Sequence, residues 1–381
     1  MKKIVFIAAM LGLASSINAF EWGINSLSTA NVYGENLSSP TLELSENATL
    51  WTKTPLAKDN SVSLNASAFY KFLCKKPFET DFTNTNAVDI PELALNINKN
   101  TNAGKISAKI GRFSESDKTN LIFNQLSDGI KFQYSADKLA TSFYAGYTGL
   151  LNAINVTMLA PENSSYTEGS NDFYRLTPKY IPLSAAITFP SLFANQQLGF
   201  EACAFMDLNG DNYNRYYATL DLDGFLSKNL FYAISTTFGT VNFNNVFNLS
   251  HINIGYSPCK YVTIFADGVY ASGKHGFLSS FEGVSSMTAD YSMLEPEYKE
   301  LIKASLSVCA TIKNTAFFNA GGAIVFNCAE TNVSYKGFEW EVSALWNIFS
   351  DLRLSSKVNQ FYGTDASNNK TNLSVSLLLL F

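Results

Sequence analysis

Acidic and basic side chains recur in this chain at every second position of apolar segments, and that spacing sets the chemistry open to them. Glu339 and Glu341 alternate with Phe338, Trp340 and Val342, and the following segment sets Arg353 and Lys357 between Leu352, Leu354 and Val358. Opposed rows of charge across a water-filled constriction sort solutes by charge and dipole. The same residues on a solvated wall would pair with one another. Catalytic chemistry has less to work with. His251 and His275 are the only histidines, and neither falls in a Ser/His or metal-ligand constellation. Asp207, Asn209 and Asp211 place oxygens at alternate positions, as in the opening of a calcium loop. Such a loop needs Gly at its sixth position and a carboxylate at its twelfth, where this chain has Asn212 and Ala218, so a polar hairpin loop is expected. The five cysteines (Cys74, Cys203, Cys259, Cys309, Cys328) lack the paired spacing of a zinc site. No Gly-rich phosphate loop is present. The expectation is a protein without catalytic residues, metal or cofactor.

Charged residues on the polar parity of other segments extend the set. Lys105 and Lys109 alternate with Ile106, Ala108 and Ile110, Lys131 lies between Ile130 and Phe132, and Glu201 lies between Phe200 and Ala202. Asp221 and Asp223 flank Leu222, while Glu92 and Lys303 follow the same rule. Together with Arg112 these are the candidates to line a pore. Arg112 is the exception in parity, since it falls with Ile106, Ala108 and Ile110. A bulge or a strand end must turn it inward if it is to serve a lumen.

Elements that position residues in this way are strands, because only a period of two separates neighbours onto opposite faces. Segments with that period are expected near residues 22–32, 41–52, 60–70, 88–98, 104–113, 128–135, 139–147, 179–189, 197–206, 214–224, 230–239, 247–256, 261–272, 301–312, 315–327, 336–347, 350–360 and 371–381. They total about 18, with 16 the nearest alternative. Short links (99–103, 136–138, 226–229, 258–260, 313–314) follow even-numbered segments, and long links (71–87, 114–127, 148–178, 272–300) follow odd-numbered ones. Alternation of short turns and long loops is the habit of a transmembrane barrel, with the amino-terminus in the periplasm. Three features resist the pattern. Glu46 lies on an apolar parity, 261–272 shows no clean face, and Pro182 sits inside an expected strand.

Composition agrees with a barrel. Only 15% of residues are charged although 46% are hydrophobic, whereas soluble domains carry roughly 25% charge. After the first residues no stretch approaches the roughly 20 apolar residues of a membrane helix. A formal charge of −5 gives no reason to expect nucleic acid. Lys2, Lys3, the apolar run Ile4 to Leu13 and the small residues through Ala19 read as a signal peptide over 1–19, leaving a barrel over 20–381. Trp22, Trp51, Tyr70, Tyr134, Tyr147, Tyr180, Tyr256, Trp340, Trp346 and Phe381 fall at strand ends, where interfacial girdles form. Trp51 alone among the tryptophans takes the polar parity. The segment 371–381 alternates Leu373, Val375, Leu377 and Leu379 with Asn372, Ser374 and Ser376 before ending on Phe381.

Signal segment, aromatic-ended last strand and alternating links together resemble the bacterial outer-membrane porins across nearly the whole chain. A narrower likeness lies at Ile110, Gly111, Arg112, the loop Phe113 to Ser127, and Asp128, Gly129, Ile130. Many porins similarly end a strand on Gly-Arg, fold the third extracellular loop into the lumen and resume on Asp-Gly. The resemblance implies an all-β fold, a single antiparallel transmembrane β-barrel without a plug domain, located in the outer membrane. It implies a terminal Phe381 that serves barrel assembly. The function expected is a channel for passive or mildly selective diffusion of small hydrophilic solutes, surrounded by outer-membrane lipid. A barrel-anchored surface adhesin and a transporter of hydrophobic compounds are the alternatives. Homotrimer and monomer both stay open.

Overall fold

In a computed structural model the chain is described at residues 20–34, 39–78, 80–152, 158–159, 175–193, 195–285, 298–313, 315–329 and 333–381; the expected signal segment, 1–19, lies outside them. Twenty strands follow in order. They are β1 Glu21–Gly34, β2 Thr41–Pro55, β3 Val62–Lys76, β4 Thr83–Thr101, β5 Gly104–Ser116, β6 Asn124–Ser135, β7 Ala140–Tyr147, β8 Leu151–Asn152, β9 Arg175–Leu176 and β10 Tyr180–Phe193. The rest are β11 Gln196–Asp207, β12 Arg215–Ser227, β13 Leu230–Val241, β14 Phe247–Cys259, β15 Val262–Ala271, β16 Leu301–Ile312, β17 Ala316–Asn327, β18 Ser334–Asn347, β19 Leu352–Gly363 and β20 Lys370–Leu380. Eighteen of them make one antiparallel sheet in which each pairs with its neighbours in sequence and β20 returns to β1. β8 and β9 pair only with each other, within the loop between β7 and β10.

Closure follows from the last strand. Leu380 to Thr371 run opposite Asn25 to Gly34, and Ile24 and Phe381 exchange both backbone hydrogen bonds, at 2.9 and 2.8 Å. A closed sheet leaves no unpaired edge, the condition for strands to cross lipid. All eighteen expected strands are present, 18 rather than 16 is the count, and β15 pairs along its whole length despite its mixed faces. Among the described residues the lumen contains loops and no separate domain.

Faces divide by parity. One carries exposed apolar side chains, among them Ile130, Phe132, Phe143, Leu306, Val342, Trp346, Leu373 and Val375. Their opposites include the buried polar residues Glu201, Thr219, Lys303, Glu339, Glu341 and Asn359. The apolar parity is a lipid-facing band, and the polar parity faces the lumen. Trp22, Tyr70, Tyr256, Trp346 and Phe381 are exposed, as girdle residues should be. Tyr180 is fully buried instead: it belongs to the lumen side, beneath an arginine described below. Trp51 takes the inner parity opposite Gly23, and a Cβ at Gly23 would lie 2.7 Å from its ring.

The three resisting features have distinct explanations. Pro182 pairs with Phe205 of β11, but the β7 ladder ends at Leu183, so on that side it has no ladder bond to forgo. Glu46 keeps the outward parity, exposed, and accepts a hydrogen bond from Ser28 Oγ at 2.6 Å across the β1–β2 ladder. β15 needs no clean face because closure on β14 and β16 holds it from both sides.

Candidate functional site

The third long connection, Asp117 to Phe123, does not stand above the rim. Its shape comes from Asp117, whose carboxylate accepts the backbone N–H groups of Ile122 (2.9 Å), Phe123 (2.7 Å) and Thr119 (2.9 Å) and the Thr119 hydroxyl. Asx chemistry of this kind lets a short polar run replace a backbone turn. Asn120, with φ 57°, takes the left-handed conformation that Asn tolerates. The turn carries Lys118 to the wall at β11 and β12, where its N–H donates to Glu201 at 2.6 Å and its ammonium lies 2.8 Å from Asp221. Glu201 and Asp221 sit in the middle of their strands. A loop springing from β5 and β6 reaches them only by running inside the barrel.

Aromatic packing fixes the loop there. Phe123 meets Phe205 of β11 with ring centroids 5.0 Å apart, and the row continues through Tyr217 of β12 and Phe247 of β14 at 5.8 Å spacings. Phe281, from the loop after β15, closes the row at 5.5 Å. Loops therefore cap both ends of a ladder supplied by the wall. They are also joined to each other. Val284 and Ser285 donate their N–H groups to Ile122 O at 3.1 and 3.0 Å, Leu159 donates to Val284 O at 2.8 Å, and Met158 donates to Gln125 Oε1 at 3.1 Å. Segments from three long connections thus form one body in the lumen.

Around it, charges pair locally. Lys109 bridges Glu92 at 2.7 Å, Lys131 bridges Glu115 at 2.6 Å, and Lys357 bridges Glu341 at 2.5 Å. Glu339 lies 4.0 Å from Lys303, both almost fully buried, and His251 Nε2 is 2.6 Å from Asp267. Asp223 accepts a bond from Gln197 Nε2 at 3.0 Å. Lys105 is exposed toward a recess of about 420 Å³ that Ser107, Gln133, Thr141, Ser142 and Thr188 also line. Arg353 is exposed on the inner parity opposite Asn347 and makes no ion pair among the described residues. A second recess, about 460 Å³, lies between Lys118 and Thr119 of the loop and Gln197, Asp221, Asp223 and His251 of the wall. These pairs neutralise the wall strand by strand, and a separated acidic row facing a basic row is not what the distances describe.

Arg112 stands apart from the other candidates. No register shift interrupts β5 against either neighbour, and Arg112 pairs across to Leu93 and Asp128 on the outward parity. Its guanidinium nitrogens lie 3.5 Å from Asp89 and 3.4 Å from Asp128. The bulge in this region belongs to the β3–β4 ladder, between Ser67 and Phe69, and β5 keeps its register with both neighbours through Arg112. In the calcium-like segment both oxygens of Asp207 accept bonds from its own loop, from Asn209 and Tyr213.

Sequence periodicity misses Asp117, Lys118, Phe205, Tyr217, Phe247 and Arg215, which together organise the loops. Parity does place Arg215, Tyr217 and Phe205 on the inner face. What they meet there lies beyond any local pattern.

No family model and no curated protein sequence matches the chain. Solved structures do. OpdQ of Pseudomonas aeruginosa superposes with a TM-score of 0.67 at 12% identity, over 96% of this chain and 99% of that one. The outer membrane protein OpdK of the same organism gives 0.62 at 11% identity, over 95% and 99%. OccAB4 of Acinetobacter baumannii gives 0.62 at 9% identity, over 96% and 98%. The fold is the one these structures share.

Proposed function

We propose that this chain is an outer-membrane channel through which small hydrophilic solutes diffuse, with mild selection imposed by the loop body inside the barrel. The carrying observation is the path of Asp117 to Phe123, which is tied by Lys118 to Glu201 and Asp221 in the middle of β11 and β12, three and four strands around the wall from β6. An 18-stranded barrel is wide enough to hold water unless its interior is filled, and this loop narrows it at one level. In this reading the long connections face outside the cell and the short turns face the periplasm, with the segment 1–19 directing export.

Selection would act through a wall of paired charges. Solutes with separated charge can exchange with pairs such as Lys109–Glu92 and Lys118–Asp221, whereas apolar solutes find no continuous apolar path along this face. The adhesin alternative uses loops that stand clear of the barrel, and here the third loop turns inward. Purified, refolded protein in a planar bilayer tests the proposal. Discrete ohmic conductance steps in KCl are expected, together with liposome swelling by small sugars or amino acids. A folded barrel that passes no current at any voltage would overturn the channel.

A further inference from the structure

Arg215 opens β12 on the lumen parity, and only 2% of it is exposed. Its neighbours at the guanidinium come from two loops. Nη1 donates to Gly283 O at 2.7 Å, in the connection after β15, and Nη2 donates to Leu159 O at 3.2 Å, in the connection after β7. The rings of Tyr180 and Tyr213 lie 4.9 and 5.4 Å from its central carbon, and no carboxylate forms an ion pair with it among the described residues. A buried cation without a counter-ion depends on carbonyl dipoles and aromatic faces for the solvation it has lost. Those carbonyls belong to the loops, so the charge is satisfied only while the loops stay in the lumen. Two further contacts act on the same loop: Tyr217 donates its hydroxyl to Glu282 O at 2.7 Å, and Tyr213 donates to the Glu282 carboxylate.

We propose that Arg215 is a positioning residue that pins the loops after β7 and β15 to the wall and thereby sets the aperture and selectivity of the channel. Guanidinium geometry is required, because one planar group must reach two carbonyls from different loops while stacking on tyrosine. Lysine, a point charge, can satisfy one carbonyl and offers no planar face. The inference rests on the channel function, so wild-type conductance is established first; its absence would refute that function and not the pin.

The test compares Arg215→Ala, Arg215→Lys and Tyr217→Phe in planar bilayers, using protein whose barrel is shown intact by heat-modifiable migration on a detergent gel. Arg215→Ala is expected to raise single-channel conductance by about twofold, to increase open-channel noise, and to lower the reversal potential in a salt gradient. Arg215→Lys should fall between this variant and the wild type. Tyr217→Phe loses one hydroxyl and little volume, and should show the same changes in smaller measure. Unchanged conductance and reversal potential in folded Arg215→Ala would overturn the proposal, as would a narrower pore. Should Arg215→Ala not assemble, a Tyr217→Phe channel identical to wild type in conductance and noise is the overturning result.

Discussion

Replacing Asp117 with Ala should free the third loop from its place in the lumen while leaving the barrel closed. Asp117 accepts four hydrogen bonds, two of them from the buried N–H groups of Ile122 and Phe123. Each buried donor left without a partner costs about 1–3 kcal/mol, so these two alone cost about 2–6 kcal/mol. The anchors that remain include the Lys118 contacts with Asp221 and Glu201, the Val284 and Ser285 bonds to Ile122 O, and the packing of Ile122 and Phe123. Against them stands the order of a seven-residue connection, at about 1–2 kcal/mol per residue. Each 1.4 kcal/mol is a factor of ten in population, so a middle value of about 4 kcal/mol lowers the ratio of docked to undocked loop nearly a thousandfold. None of the eighteen ladders includes Asp117, and the heat stability of the folded band should not move. Single-channel recording is the assay: conductance should rise and fluctuate, and protease should cut between Asp117 and Phe123 in intact cells or vesicles. A folded variant with wild-type conductance and a protected loop would refute the assignment of Asp117 as the organiser of the turn.

Lys118→Gln should leave Asp221 unpaired beside the passage and shift the reversal potential in a KCl gradient toward cation preference; no shift would place the pair outside the ion path. Lys303→Met strands Glu339 at 2% exposure, and breaking such a pair costs about 3–5 kcal/mol, which urea unfolding in lipid vesicles should register as a lower midpoint. Gly23→Val would set a side chain 2.6 Å from the Phe381 carbonyl oxygen and 2.7 Å from the Trp51 ring, so refolding yield of the closed barrel should fall steeply, and a normal yield would show that the β1–β20 seam can shift.

Strand positions were legible because alternation is a property of neighbouring residues. Leu373, Val375 and Leu377 against Asn372, Ser374 and Ser376 declare a lipid face and a wet face without reference to anything distant. Link lengths added connectivity, since a two-residue turn such as Lys228–Asn229 leaves the next strand nowhere to go but back alongside. Parity separated the charged residues from the apolar ones, yet it could not say that Glu341 meets Lys357 or that Arg353 makes no ion pair among the described residues. Pro182 resisted the pattern because it falls inside an expected strand, and only the early end of the β7 ladder, at Leu183, makes room for it.

By itself the sequence determined the barrel, with its two faces and the order of its connections written in a period of two and in turn residues; the choice of 18 strands over 16 came with the closed sheet. Tertiary structure alone decided what occupies the lumen. The loops have no period, and their positions follow from contacts between distant residues: Lys118 with Asp221, Ile122 with Val284 and Arg215 with Gly283. Each such contact costs chain entropy that only the closed wall recovers, by holding the partners in place before the loops arrive.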